Sequence, residues 1–417
     1  MPVYSPRIVD AELLELLSAA GAVVIEGPKA CGKTMTATQQ AASRVLLDSD
    51  PAARQVLAVE PGLLLHGARP RLLDEWQVAP ELWNQVRRAV DDADQPGQFL
   101  LTGSAVPSED ASRHTGAGRF GFLRMRPMSL VESGASNGAV SLRELFAGEM
   151  QSVADPGLSV QDLSALIARG GWPAQQSRPL KAASRAARDY LEQVRQVDIS
   201  RVDERRRDPV RVGALLRSLG RHCATEAKLS TLAADAGGAD GPLDERSVSD
   251  YLQALERLMV IEDQPAWAPH LRSRARLRKA PKRHFVDPSL AMAASGAGTE
   301  RLLQDFKWFG QLFESLVIRD LRVLGQPLDG EVFHYRDDYG IEVDAIVQLR
   351  DGRWGAIEVK LGEGLVEEAA ANLTRFAQQI DTQRSGTPHF LAVICGKGYG
   401  YRRADGVLVI PVGALGP

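Results

Sequence analysis

Three short stretches carry residue types at spacings suited to chemistry on phosphate groups. The first is Gly27-Pro28-Lys29-Ala30-Cys31-Gly32-Lys33-Thr34, which fits G-x-x-x-x-G-K-[ST], the phosphate-binding P-loop. Gly27 and Gly32 let the main chain curl so that backbone N–H groups point at phosphate oxygens. Lys33 is expected to reach the β- and γ-phosphates and Thr34 to set its hydroxyl on Mg²⁺. At Cys31 a small residue is all the loop needs, and a redox-sensitive thiol is the alternative. The second stretch is Leu72-Leu73-Asp74-Glu75-Trp76-Gln77, a short apolar run ending in two carboxylates. Asp74 is the candidate for holding Mg²⁺ through its water shell, and Glu75 for orienting or deprotonating an attacking water. Pro70 and Arg71 leave the apolar lead-in short, and an acidic helix start is the other reading, since Pro80-Glu81-Leu82-Trp83 soon begins a helix. The third is Gln98-Phe99-Leu100-Leu101-Thr102-Gly103-Ser104, a strand-like run ending in hydroxyls. In a doubly wound sheet ligands sit at the carboxyl ends of strands, so Thr102 or Ser104 is a candidate γ-phosphate sensor. A plain strand-end turn is the alternative.

These residues need a strand, a glycine turn and a helix start to position them. Ala22-Val23-Val24-Ile25 is an apolar, β-branched run of the kind found in buried parallel strands. The stretch from Thr34 to Leu47, free of Gly and Pro, reads as the helix that follows. The whole chain is 417 residues long, 44% hydrophobic and 25% charged, which suits a globular protein of two or three domains. Its formal net charge of −3 means that a nucleic-acid partner must be met by a local basic patch. Its three cysteines, Cys31, Cys223 and Cys395, are far apart and form neither a disulfide framework nor a metal site. The histidines show no zinc spacing. No apolar run approaches transmembrane length and the N-terminus lacks an apolar signal core, so the expected location is the cytoplasm, away from membranes.

Near the C-terminus, residues 341–349 and 354–360 are two strand-like runs joined by Arg350-Asp351-Gly352-Arg353. A two-residue Asp-Gly turn would put Asp344 and Glu358 on opposite faces. A three-residue loop with Gly352 in the left-handed conformation pairs Leu349 with Arg353, Asp344 with Glu358, and Glu342 with Lys360. The second register leaves Val343, Val347, Ile357 and Val359 as an apolar face, so it is the one expected. Asp344, Glu358 and Lys360 then share the other face. Upstream, Phe306, Phe309, Phe313, Leu316 and Val317 are expected to form the apolar side of a helix that also carries Glu314. Residues 366–380 read as a helix, and runs at 389–394 and 406–410 as buried strands.

The P-loop, Leu73-Asp74-Glu75-x-Gln77, Leu101-Thr102-Gly103-Ser104, Gly118-Arg119-Phe120, and Arg126-Pro127-Met128-Ser129-Leu130 with Glu132 resemble a family of prokaryotic AAA-type ATPases. That family carries a C-terminal domain of unknown function with a restriction-endonuclease-like fold, and the likeness runs, with gaps, over most of the chain. The resemblance implies ATP and Mg²⁺ as cofactors. It also makes Arg119 the first candidate for an arginine at the γ-phosphate, in cis or from a neighbouring copy in a homo-oligomer, with Arg113 second. An arginine paired with a surface carboxylate is the plain alternative. Asp344 with Glu358-x-Lys360 is similar to the D…ExK pattern of metal-dependent nucleases of that fold. The likeness implies that Glu314, Asp344 and Glu358 hold Mg²⁺ and that Lys360 helps activate water. An ion pair exposed on a strand is the alternative for Glu358 and Lys360.

Three domains are therefore expected. Residues 1–150 form an AAA-type P-loop ATPase with a parallel sheet, and residues 151–285 a helical connector and winged-helix-like domain. Residues 286–417 form a restriction-endonuclease-like α/β domain. In the middle part, Gly170-Gly171-Trp172-Pro173 stops a helix. Residues 181–206 read as one long polar helix, and residues 210–260 as three shorter ones. Then Arg272, Arg274, Arg276 and Arg278 alternate, and on a strand they share one face that is suited to a DNA or RNA backbone or to an acidic neighbouring domain. Arg205-Arg206-Arg207 reads as a solvated charge run. The expected function is an ATPase coupled to a nuclease-type domain that binds or cleaves nucleic acid. An ATP-dependent switch without nuclease chemistry is the competing reading, and a winged-helix DNA-binding regulator the third.

Overall fold

Alternation along the first strand explains how the P-loop is held. The computed structural model describes residues 4–104, 116–202, 205–237, 241–269, 280–337 and 340–417. Contacts divide the chain into two compact units. One contains residues 1–127, 198–206 and 254–260, and the other contains residues 128–197, 207–253 and 261–417. Arg113 and the alternating run Arg272, Arg274, Arg276 and Arg278 lie outside the described residues.

In the first unit β1 (Ala22–Glu26), β2 (Ser43–Leu46), β3 (Arg71–Asp74), β4 (Phe99–Gly103) and β5 (Phe120–Arg124) form a sheet of order β2-β3-β4-β1-β5. Every pairing is parallel. Val23 and Ile25 of β1 join Leu13, Ala37, Leu72, Leu100 and Leu123 in one core. Ala22 and Val24 join Leu73, Phe99, Leu101, Trp83 and Val86 in another. Side chains alternate across a strand, so helices must cover both faces, and β1 reads as an unbroken apolar run for that reason. The helix after the P-loop is Lys33–Gln40 and does not continue to Leu47. Ser43–Leu46 is instead the edge strand, paired with β3. No Gly or Pro announces this change, and the free edge of β3 decides it.

In the second unit, helices Val160–Arg169, Leu180–Gln193 and Pro209–Arg221 surround Pro288–Ala294. The stretch read as one helix from residue 181 is interrupted by a π-helical turn, Val194–Asp198, before Ile199–Arg201. A π-turn needs no helix breaker in the sequence and arises from packing. Leu229–Gly237 and Glu245–Arg257 complete the three shorter helices. Antiparallel bridges then join Ile261 to Phe285 and Gln264 to Lys282. β6 (Val140–Ser141) lies well before the large sheet of this unit. That sheet comprises β7 (Gly330–Arg336), β8 (Glu342–Leu349), β9 (Trp354–Lys360), β10 (Phe390–Cys395), β11 (Tyr401–Arg402) and β12 (Leu408–Pro411). Its order is β11-β12-β10-β9-β8-β7. β7, β8 and β9 run antiparallel, and β10 is parallel to β9. β13 (Leu415–Gly416) returns to pair with β6. The helix Phe306–Gly325 packs on β7, β8 and β9, and Val366–Gln379 packs on β9 and β10. Phe309, Phe313, Leu316 and Val317 are fully buried, but Phe306 is 61% exposed and lies outside the apolar face assigned to it. It sits on the first turn, just past the Asp305 N-cap.

The β8–β9 turn has the three-residue form. The ladder pairs Gln348 with Trp354 and Ala345 with Ile357. Leu349 N–H donates to the Arg353 carbonyl at 2.8 Å. Gly352 has φ +92°, a conformation that glycine adopts without strain.

Candidate functional site

The first cluster forms where the P-loop leaves β1. A Cβ on Gly27 would come within 2.2 Å of the Met125 carbonyl oxygen, so only glycine lets the loop pass that strand end. Ala30 (φ +64°) and Gly32 (φ +108°) are left-handed and turn the intervening N–H groups inward. Lys33 is 5% exposed, and its ammonium donates to the Gly27 and Pro28 carbonyls at 2.9 Å each. Arg7 braces the loop by donating to the Cys31 carbonyl at 2.9 Å and the Arg126 carbonyl at 2.8 Å. Lys29 reaches the Asp198 carboxylate at 2.6 Å.

The carboxyl ends of β3 and β4 bring the remaining residues in. Thr34 Oγ1 donates to Asp74 Oδ1 at 2.8 Å, and Thr102 Oγ1 donates to the same oxygen at 2.5 Å. Thr102 Oγ1 also accepts from the Glu75 N–H at 3.2 Å. Glu75 has φ +56°, a costly conformation for a non-glycine residue that the surroundings must impose. Its Oε2 accepts from Ser104 Oγ at 3.2 Å and from the Gln77 side-chain amide. P-loop, Asp74, Glu75, Thr102 and Ser104 therefore meet in one place. The hard oxygen donors Thr34 Oγ1 and Asp74 Oδ1 fit Mg²⁺.

Arg119 is not brought there. Its main chain accepts from Ala22 N–H, at the start of β1. The P-loop begins at the other end of that strand, roughly 13 Å away at ~3.3 Å per residue. Its guanidinium pairs with Asp91 at 2.7 Å on the surface. Parallel pairing of β5 with β1 dictates this, because it sets the residue before β5 at the opposite end of the strands from the loop after β1.

The second cluster lies in the C-terminal sheet. Beyond Ala345 and Ile357 the Val359 N–H donates to Asp344 Oδ2 at 2.9 Å rather than to the facing main chain. Lys360 reaches Glu358 Oε2 at 2.5 Å and Asp344 Oδ2 at 3.3 Å. Glu358 Oε1 accepts from Asn372 on the covering helix at 2.8 Å. Glu314, from the helix Phe306–Gly325, meets the cluster through Lys282. Asp344 and Glu358 are buried, so an exposed strand ion pair is not what forms here. Lys282 and Asn372 were not among the residues singled out from sequence as this site.

Burial and the neighbouring Asp344 charge push Glu358 up to about 8, against the pull of Lys360. Burial likewise raises Glu314 to about 8. Burial would raise Asp344 as well, but Lys282 and Lys360 outweigh it and hold Asp344 near 2. For Glu358, a folded pKa above the ordinary 4.5 means stability that is present at low pH and lost as pH rises towards about 8. Glu358→Gln mimics the protonated side chain and does not titrate. The melting temperature of the wild type minus that of the variant should therefore fall from about pH 5 to about pH 8. Thermal melts across that range test this, and a difference that grows with pH would contradict it.

Among the described residues no group of three or more His, Cys, Asp or Glu side chains is disposed to hold a metal ion. The carboxylates of the second cluster are neutralised by two ammonium groups, and that donor set does not fit a divalent cation as it stands. The expectation that Glu314, Asp344 and Glu358 together make a ready Mg²⁺ site meets this obstacle, which arises because Lys282 stands between Glu314 and Asp344.

A family model described as an AAA domain matches residues 19–133. Two models described as domains of unknown function, DUF8612 and DUF4143, match residues 160–301 and 309–415. The chain is similar to uncharacterized proteins of Mycobacterium bovis and Mycobacterium tuberculosis. Each is 25% identical over 363 residues, covering 85% of this chain and 73% of the relative. Among solved structures, a Walker-type ATPase of Pyrococcus abyssi aligns with a TM-score of 0.41 and 13% identity, over 68% of this chain and 94% of that one. The parallel sheet, the P-loop at its β1 end and the AAA match define the N-terminal region as a P-loop ATPase domain of the AAA type. Such a domain binds ATP. No helix among the described residues is long and apolar enough to cross a membrane.

Proposed function

We propose that this protein is a Mg²⁺-dependent ATPase whose nucleotide state governs a C-terminal domain of nuclease-type fold that binds nucleic acid. The observation that carries the ATPase reading is the hydrogen-bonded chain Thr34–Asp74–Thr102, with Glu75 beside it. P-loop N–H groups and Lys33 take the phosphate oxygens. Thr34 and Asp74 would hold Mg²⁺, which when bound draws charge from the transferred phosphate. Glu75 accepts the proton of the attacking water, and Ser104 and Gln77 fix the direction of its carboxylate. Thr102 acts as a positioning residue that ties Asp74 to the Glu75 main chain. Thr102→Val should lower kcat about tenfold, the worth of roughly one buried hydrogen bond, and leave KM for ATP nearly unchanged. Steady-state kinetics check this, and an unchanged kcat would remove Thr102 from the site.

The nuclease-type reading is supported by Asp344 on β8, Glu358 and Lys360 on β9, and Glu314 on the preceding helix. It is supported too by the succession of helix, three antiparallel strands, helix and parallel strand. Arg272, Arg274, Arg276 and Arg278 are the proposed phosphate-backbone contacts, on a winged-helix-like middle domain. An arginine acting in trans, Arg119 or Arg113, would need a homo-oligomer. The deciding experiment incubates wild type, Glu75→Gln and Asp344→Ala with ATP, Mg²⁺ or Mn²⁺, and single- and double-stranded DNA and RNA. Phosphate release lost only in Glu75→Gln supports the ATPase. Cleavage lost only in Asp344→Ala supports a nuclease. One observation favours the second reading, a nucleotide-driven switch without cleavage: the carboxylates that would hold metal are already held by lysines.

A further inference from the structure

Lys282 lies in a basic stretch of sequence, yet its side chain is only 3% exposed. Its Nζ stands 2.7 Å from Glu314 Oε1, 3.2 Å from Glu342 Oε1 and 3.3 Å from Asp344 Oδ1. Three carboxylates from two elements, the helix Phe306–Gly325 and strand β8, thus converge on one nitrogen. Lys360 closes the other side of Asp344 at 3.3 Å. The main chain that delivers Lys282 is anchored as well. Its N–H and C=O exchange hydrogen bonds with Gln264 at 3.0 and 2.9 Å, and the Gln264 side-chain amide donates to the Asp344 carbonyl at 2.9 Å. The ammonium is held on two sides of the carboxylates by backbone and side chain together.

We infer, from the geometry of this cluster and independently of any ATPase activity, that Lys282 is a tethered cation occupying the position where a divalent metal would bridge Glu314 and Asp344. The C-terminal domain therefore holds its carboxylates closed to metal while Lys282 is in place. An ammonium that sits among three carboxylate oxygens supplies the positive charge they need and takes the lone pairs that Mg²⁺ or Mn²⁺ would use. A second cation at hydrogen-bonding range of the same oxygens would meet Lys282 at a few ångströms in a buried site, where like charges repel strongly. Burial would lower the lysine pKa, but Glu314, Asp344 and Glu342 outweigh it and keep the side chain charged.

The test uses the full chain without nucleotide and reads Mn²⁺ binding by calorimetry and electron paramagnetic resonance. Wild type and Asp344→Asn should bind Mn²⁺ identically. Lys282→Met, which keeps the side-chain stem, should gain one Mn²⁺ per chain, bound at least about tenfold more tightly than any Mn²⁺ at this site in wild type. Adding Asp344→Asn should abolish the gain, and Lys282→Arg, which keeps the charge, should show none. If Lys282→Met does not fold alone, Mn²⁺ should restore its melting transition, because the ion takes the place of the ammonium. One additional Mn²⁺ on wild type relative to Asp344→Asn overturns the inference. So does a Lys282→Met protein that neither gains Mn²⁺ nor is refolded by it.

Discussion

Glu75→Gln is expected to lower ATP hydrolysis by about 10²- to 10⁴-fold, the usual contribution of a positioned general base, while ATP binding stays within a few-fold of wild type. The glutamine keeps the side-chain length and the contact with Ser104 Oγ, which lies 3.2 Å from Glu75 Oε2. It removes only the capacity to accept a proton. Nothing in the phosphate cradle depends on that carboxylate. The cradle is built from Gly27, the left-handed pair Ala30 and Gly32, and the Lys33 ammonium. Lys33→Ala is the contrasting variant and should lose nucleotide affinity first. Single-turnover phosphate release together with equilibrium binding of a fluorescent ATP analogue separates the two effects. A Glu75→Gln protein that hydrolyses ATP at the wild-type rate would remove Glu75 from the reaction. The left-handed backbone of Glu75 makes a further distinction. The main-chain turn aims the carboxylate, so Glu75→Asp, one methylene shorter on the same backbone, should recover only part of the rate.

How much of this was legible in sequence depended on whether the deciding physics was local. The P-loop was legible because glycine spacing and the β-branched run before it are both local. The register of β8 and β9 was legible because Gly352 and the apolar alternation of Val343 and Val347 select one turn. β2 was not, since an edge strand that exists because β3 needs a neighbour leaves no mark in Ser43–Leu46 itself. The place of Arg119 required the sheet order, which sets it at the wrong end of β1 for a cis role. Lys282 is the most instructive case. In sequence it continues a basic run. In the fold, the bridge to Gln264 turns it inward onto carboxylates more than thirty residues away, Glu314 and Asp344 among them. Sequence signals name residues that make a motif, and they are silent about the residue that neutralises it. Arg7 is missed for the same reason, as its role in bracing the P-loop is visible only through the Cys31 and Arg126 carbonyls.

The largest expected stability effect comes from Arg319→Met. Arg319 is 3% exposed, and its partners Asp287 and Asp320 are 0% and 3% exposed. Its Nη1 donates to Asp287 Oδ2 at 2.9 Å, and its Nε and Nη2 donate to Asp320 Oδ1 at 2.9 and 2.7 Å. Asp287 Oδ2 also accepts from the Gly171 N–H, and its far oxygen Oδ1 from the Ser289 N–H, at 2.9 Å each, while the far oxygen of Asp320, Oδ2, accepts from the Leu130 N–H at 3.0 Å. One guanidinium thus holds two carboxylates that in turn fasten the Gly170-Gly171-Trp172-Pro173 turn and the chain at Leu130. Methionine fills most of the volume but leaves two buried carboxylates without a counter-charge. Removing one partner of a buried ion pair costs about 3–5 kcal/mol. For a unit of this size, that loss should lower Tm by roughly 10 °C. Arg319→Met with Asp320→Asn should be less damaging than the sum of the two single changes, since the double variant buries one charge fewer. Thermal and urea unfolding of the four proteins closes the cycle. An Arg319→Met protein that loses under about 1 kcal/mol would mean that the main-chain N–H groups alone carry both aspartates.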